Sequence, residues 1–290
     1  MSANESQARI AAFFDLDGTL LPLPSLERRF VAALRDQRLI PLRNYFRWLA
    51  QAICLSPQGL LRMTHANKMY LRNISTSHGT LLLRSTGTLA CPEPRRACVP
   101  VSHNAAASVS ARIDHLPTFF PEALHRATWH ASRGHAIVLV TGTLEPLAKQ
   151  AALALTIRLL ARGITTSIRV CATRLEETHD RWTGRIAGEA IFGQAKARAV
   201  QRIAAESGFD LARCYAYGDT ATDRWMLGAV GSPAAVNPSR ELDRIARLRA
   251  WPIFLWRENR ARQAGAAAKA ERFDCVGREV IPNIKSETLG

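Results

Sequence analysis

The 290-residue sequence is 47% hydrophobic, enough apolar surface for one large domain or for a core domain with a smaller companion, and this excludes a disordered chain. Lys and Arg number 39 against 24 Asp and Glu, and the resulting charge of +15 favours anionic partners: phosphoesters, nucleic acids or acidic lipid headgroups. The excess is mostly arginine spread along the whole chain instead of a compact stripe interleaved with aromatics, which disfavours nucleic acid.

Met1 to Arg9 is polar and lacks the basic-then-apolar layout of a secretion signal. From Ile10 to Leu16 runs a short apolar stretch ending in acids, the first candidate buried strand. Ser25 to about Asn73 reads instead as consecutive helices, with Ser56-Pro57 as a start signal, and suits a cap inserted after the first strand. Ile74 to about Asp114 is rich in Ser, Thr, Ala and Arg and has no clear period, so a poorly ordered insertion is expected there. Cys91 and Cys98 within it have no nearby histidine pair, which makes them a poor metal site.

Beyond the insertion, apolar runs at His135 to Val140, Ser167 to Ala172 and Cys214 to Tyr217 alternate with helical patterns. Pro121 to Arg133 has proline in the favoured first turn, Leu144 to Ala161 aligns Leu147, Ala151, Leu155 and Leu159, and Gln194 to Glu206 puts Val200, Ile203 and Ala204 on one face. Strands alternating with helices imply an α/β fold: a Rossmann-like parallel sheet covered by helices on both faces. The expected division is a core of residues 1–24 and 116–290 and a helical cap of residues 25–115, including the insertion at about 74–114. Apolar stretches are broken at Arg158 or Arg162 before membrane-spanning length, and the six cysteines form no Cys-x-x-Cys pair. A soluble cytoplasmic protein with reduced thiols is expected, its membrane contact at most peripheral; no oligomeric state follows.

Asp15-Leu16-Asp17-Gly18-Thr19 directly follows the first strand. Alternate residues of an extended chain point the same way, so Asp15 and Asp17 can present two carboxylates at the strand's carboxyl end while Gly18 allows a sharp turn. At ~4 Å and an effective dielectric of about 20 such a pair repels by roughly 4 kcal/mol, so a cation or a shared proton has to compensate. Gly218-Asp219-Thr220-Ala221-Thr222-Asp223 offers a second acidic pair about one helical turn apart if a helix starts near Thr220. Val140-Thr141-Gly142-Thr143 ends a strand and supplies a hydroxyl and backbone N–H groups for phosphate oxygens, and Lys196 sits in a first helical turn.

In this order, Asp15-x-Asp17-Gly-Thr, Thr141, Lys196 and Gly218-Asp219-x-x-x-Asp223 resemble the four motifs of the haloacid dehalogenase superfamily. Thr173-Arg174-Leu175-Glu176 through Thr183-Gly184-Arg185 and on to Lys196, with Tyr215 through Asn237-Pro238, resembles its phosphoserine-phosphatase branch. The resemblance implies a magnesium-dependent phosphomonoester hydrolase acting through an aspartyl-phosphate on a small phosphorylated metabolite or headgroup. Asp15 would be the nucleophile and Asp17 the acid/base. Asp15, the Asp17 backbone carbonyl and Asp219 would hold Mg2+, with Asp223 a ligand or a support behind it. Thr141, Gly142 and Lys196 would bind the phosphate. Where that branch carries a substrate-reading glutamate, Pro24 aligns here and Glu27 is the nearest acid.

Each element taken singly has a plainer reading: Asp-Gly as a turn, Asp219 and Asp223 as helix-start acids, Thr141 and Thr143 as caps, Lys196 as a solvated side chain. His125 and His130 read as ordinary helix positions, and Trp225 and Met226 as packing beneath the site. Arg28, Arg29, Arg35, Arg38, Arg43 and Arg47 beside Tyr45, Phe46 and Trp48 would suit an anionic small molecule or a phospholipid headgroup, or equally a cap helix with packed aromatics and solvated arginines. The alternatives are a dedicated phosphoserine, histidinol-phosphate or phosphatidylglycerophosphate phosphatase and, in a different class, a non-catalytic anion-binding protein for RNA or acidic membrane.

Overall fold

Four consecutive apolar residues, Ala11–Phe14, form strand β1, and all four are fully buried. A run without polar alternation needs cover on both faces, which a parallel sheet between helical layers provides. The computed structural model describes residues 9–56, 66–80 and 117–257. The chain divides into Met1–Trp256 and Arg257–Gly290, and the elements described all lie in the first unit.

After β1 come helices α1 (Leu26–Asp36) and α2 (Leu42–Leu55), then 3-10 turns at Met69–Leu71 and Thr76–Thr80. The chain continues as α3 (Pro121–Ser132), β2 (Ala136–Leu144), α4 (Glu145–Leu160), β3 (Ile168–Thr173), the hairpin strands β4 (Leu175–Thr178) and β5 (Arg181–Ile186), and α5 (Gln194–Ser207). It closes with β6 (Tyr215–Gly218), the short α6 (Arg224–Leu227), β7 (Ser232–Val236), α7 (Arg240–Leu248) and β8 (Ile253–Phe254). The six-stranded sheet has the order β3-β2-β1-β6-β7-β8, and every neighbouring pair is parallel. The fold is therefore the expected α/β one.

Adjacent residues of β1 serve opposite layers. Phe14 packs with α1, α3 and α4 through Phe30, Ala127 and Leu155, whereas Phe13 packs with α5, α6 and α7 through Val200, Met226 and Leu242. The α4 stripe of Leu147, Ala151, Leu155 and Leu159 is buried throughout, as is the α5 face of Val200, Ile203 and Ala204. Each such large aliphatic side chain contributes about 1.5–3 kcal/mol of transfer free energy, and this fixes the strand ends that carry the polar residues.

Some expectations need correcting. Strand β2 does not stop at Val140 but runs to Leu144 with a register shift between Thr141 and Leu144, because β3 goes on pairing with it up to the start of α4 at Glu145. The hairpin β4–β5, strand β7 and the edge strand β8 were not foreseen, being short and weakly periodic. Ile74, at the start of the segment read as irregular, is buried, and its carbonyl accepts from Trp182 N–H. Thr76 N–H donates to Asp180 O, so this stretch continues the edge of β5. His130 is more than a helix position: it is fully buried, with Nε2 2.9 Å from the Tyr217 hydroxyl and Nδ1 2.9 Å from Nδ1 of His135. Burial and the nearby His135, Arg126 and Arg133 lower it to about 3, so it is neutral. The expected cap continues through residues 57–65 and 81–115; these, with Cys91 and Cys98, lie outside the described residues.

Candidate active site

At the carboxyl end of β1 the sheet register carries Asp15 into the centre of the molecule, where its N–H donates to Tyr217 O at 2.9 Å. The chain then turns at once: Gly18 N–H donates to Leu21 O at 2.7 Å, and Leu20 and Leu21 N–H both reach Leu16 O at 2.9 Å. Gly18 has φ +87, and a Cβ there would lie 2.1 Å from Oδ2 of Asp219. No residue with a side chain fits that approach.

Strand β6 delivers the second pair of acids. Asp223 is fully buried; its Oδ2 accepts from the N–H groups of Asp219 and Thr220 at 3.2 and 2.9 Å and from the Thr220 hydroxyl at 2.8 Å. The expected turn of helix after Thr220 is a single 3-10 turn, Ala221–Asp223, capped by Thr220. The Thr19 hydroxyl donates to Asp219 Oδ1 at 3.4 Å.

Helix α5 supplies the one cation of this cluster among the described residues. Lys196, its third residue, is 4% exposed, and Nζ donates to Asp15 Oδ1 at 2.6 Å and to Asp223 Oδ1 at 2.5 Å. Burial opposes its charge, but Asp15 and Asp223 more than compensate and raise its affinity for the proton. Three carboxylates therefore share one ammonium. Burial lifts Asp15 to about 7, with Lys196 pulling it down and Asp223 pushing it up. Burial, then Asp15 and Asp223, lift Asp219 to about 9.

Those three acids each offer an oxygen within 4.8 Å of the others, and all three are buried. An all-oxygen donor set whose charge is under-compensated fits a small hard divalent cation such as magnesium. The carboxylate of Asp17 is not part of that group. Its Oδ1 accepts from Leu26 N–H at 2.8 Å, at the start of α1, and its Oδ2 accepts from the Thr143 hydroxyl at 2.5 Å. Burial raises Asp17 too, and these two hydrogen bonds lower it.

Thr141 is 2% exposed, and its Oγ1 accepts from Thr143 N–H at 3.2 Å, which fixes the Thr141-Gly142-Thr143 turn beside the acids. Thr143 was seen only as a cap in the sequence; its contact with Asp17 follows from the extra length of β2. Nothing in the sequence signalled Lys68 and Tyr70, which both donate to Glu27 Oε1 between α1 and the Met69–Leu71 turn. Met226 packs beneath the site as expected, whereas Trp225 is 40% exposed with the Arg224 guanidinium over its ring.

A model of the haloacid dehalogenase-like hydrolase family matches residues 12–228. The chain is 30% identical over 256 residues to the inhibition of morphological differentiation protein of Streptomyces azureus, spanning 87% of this chain and 80% of that one. It is 29% identical to a probable phosphatase of Mycobacterium tuberculosis, across 86% of this chain and 76% of the relative. A phospho-aspartyl intermediate analogue of phosphoserine phosphatase superposes with a TM-score of 0.51 over 90% of this chain and 99% of its own; at 15% identity it shares the fold.

Proposed function

Since this chain belongs to the haloacid dehalogenase-like hydrolase family, we propose that it is a magnesium-dependent phosphomonoesterase with Asp15 as its nucleophile. The observation that carries this reading is the convergence of Asp15, Lys196, Asp219 and Asp223, from three separate strand and helix ends, into one buried cluster.

Lys196 engages Oδ1 of Asp15 and leaves Oδ2 to attack phosphorus. As the Asp15 O–P bond forms and the ester P–O bond breaks, a proton passes from Asp17 to the leaving oxygen. Water then attacks the aspartyl-phosphate, giving its proton to Asp17, and the Asp15 O–P bond breaks to release phosphate. Thr143 and the Leu26 N–H hold the Asp17 carboxyl between these two transfers. Lys196, the Thr141 hydroxyl and the backbone at Gly142 take the phosphoryl oxygens. Asp15, Asp219 and the Asp17 main-chain carbonyl, with Asp223 as ligand or support, would hold magnesium, which would supply charge neutralisation on those oxygens. Of the residues expected to form the cap, 25–115, helix α1 starts against the site, its Leu26 N–H donating to Asp17 Oδ1.

The substrate is a small phosphorylated metabolite or headgroup. Glu27 is engaged by Lys68 and Tyr70, which argues against its reading a substrate ammonium and hence against phosphoserine. The test is release of phosphate from a generic aryl phosphate, with magnesium and after chelation. Asp15→Asn is expected to lower turnover by about ten-thousand-fold or more. Undiminished turnover by Asp15→Asn, or a wild type indifferent to magnesium, would sink the reading. A panel of phosphoserine, histidinol phosphate and phosphatidylglycerophosphate then sorts substrates.

A further inference from the structure

Helix α2 turns a continuous apolar stripe away from the protein. At 3.6 residues per turn Leu42, Tyr45, Phe46, Leu49 and Ile53 fall on one stripe, and all five are exposed, Leu42, Phe46 and Ile53 by 77, 72 and 68%. The opposite side faces the protein, and its buried residues are Asn44 and Ala52. Asn44 Nδ2 donates to the carbonyls of Tyr70 and Arg72 at 3.1 and 2.7 Å, and Trp48, Gln51 and Leu55 on the same side are half-buried, so the helix is anchored by a mixed face and leaves its continuous apolar stripe outward. Contiguous apolar side chains left in water are the mark of a surface that meets something else.

The charges around the stripe select the occupant. Arg43 and Arg47 lie along one flank of α2, both exposed, and the helix contains no acid. From Arg28 to Ser56 the chain carries six arginines and one acid, Asp36. A second copy would set those arginines against their own kind, whereas an anionic bilayer offers an apolar interior beneath a layer of phosphates. The 14 residues of α2 extend about 21 Å, short of the ~30 Å hydrocarbon core. None of the helices among the described residues is long and apolar enough to cross a membrane. We propose that α2 lies flat in the surface of an anionic membrane, its Leu42–Ile53 stripe entering the acyl boundary and Arg43 and Arg47 meeting headgroup phosphates. This docking surface goes beyond the phosphatase reading and does not depend on it.

The experiment is co-sedimentation of the full chain with vesicles of phosphatidylcholine alone and with about one third phosphatidylglycerol. The wild type should pellet with the anionic vesicles and stay in solution with the neutral ones. A Phe46→Ser/Leu49→Ser double variant should bind about tenfold more weakly or worse. Arg43→Ala and Arg47→Ala should each weaken binding about fivefold, an effect that added salt erases. Turnover of a soluble aryl phosphate serves as the independent readout: it should be unchanged in all these variants. A wild type that ignores anionic vesicles, equal binding to neutral ones, stripe variants that bind like wild type, or stripe-dependent self-association in sedimentation velocity without lipid would each overturn the proposal.

Discussion

The strand-end cluster and helix α2 break the usual rule of burial in opposite directions. At the first, Asp15, Lys196 and Asp219 are 6%, 4% and 8% exposed and Asp223 is fully buried, although each charge is costly to remove from water. On the second, five large apolar side chains face solvent while Asn44 is buried. The first violation is sustained by the rest of the fold: a sheet packed on both faces holds the acids together whatever they cost. The second is held among the described residues by Asn44, Ala52 and the half-buried Trp48 and Leu55 on the opposite side, so its apolar stripe stays available. A buried charge cluster signals chemistry done inside the protein, and an exposed apolar stripe signals a contact made outside it.

Substitutions can break this comparison, beginning at the cluster. Lys196→Met removes the cation from among three acids and should destabilise the fold by about 3 kcal/mol, with loss of turnover, measured by urea melts and phosphate release. An unchanged melt would mean that the acids do not need this ammonium. Asn44→Ala leaves the Tyr70 and Arg72 carbonyls without their donor and should cost about 1–3 kcal/mol, showing that Asn44 helps to hold α2 in place.

Asp219→Asn should act in the contrary sense, raising the stability of the metal-free protein by roughly 1 kcal/mol because one repelling charge is gone, while abolishing turnover. The same imbalance sets a pH dependence. Asp15 is raised from 3.8 to about 7 and Asp219 from 3.8 to about 9, so between these limits the folded chain binds protons that the unfolded chain has lost. Stability of the metal-free protein should therefore be highest at the acid end of that window and fall as pH rises through it; magnesium should restore most at the alkaline end. Thermal melts across pH, with and without magnesium, check the sign. Smallest of all, Phe46→Ser should shift stability by no more than about 0.5 kcal/mol, since the Phe46 side chain is 72% exposed. A large loss there would show that the stripe is covered within the chain.

Much of the architecture was legible because burial writes itself into period. Ala11–Phe14 reads as a strand without alternation, and the α4 and α5 faces read as helical stripes that the structure buries as drawn. Asp15 and Asp219 were legible as acids following strands, and Thr141 and Lys196 by their order along the chain, although Thr141 lies within β2 and not after it. The path of Asp17 was not: whether its carboxyl joins Asp15 or turns to Thr143 and Leu26 depends on β2 running on to Leu144, which a pairing partner decides. Nor was the clasp of Lys68 and Tyr70 on Glu27, because contacts across some forty residues leave no local pattern.

By itself, then, the sequence determined the layers of the fold and the identity of the polar groups at the strand ends, since both follow from hydrophobic period and from residue type after an apolar run. Only the tertiary structure decided which carboxylates face one another, which way Asp17 turns, and which side of α2 is left outward. Those outcomes rest on register and on hydrogen-bond partners distant in the chain. An amphipathic helix states that it has two faces, but only its neighbours determine which one meets the protein.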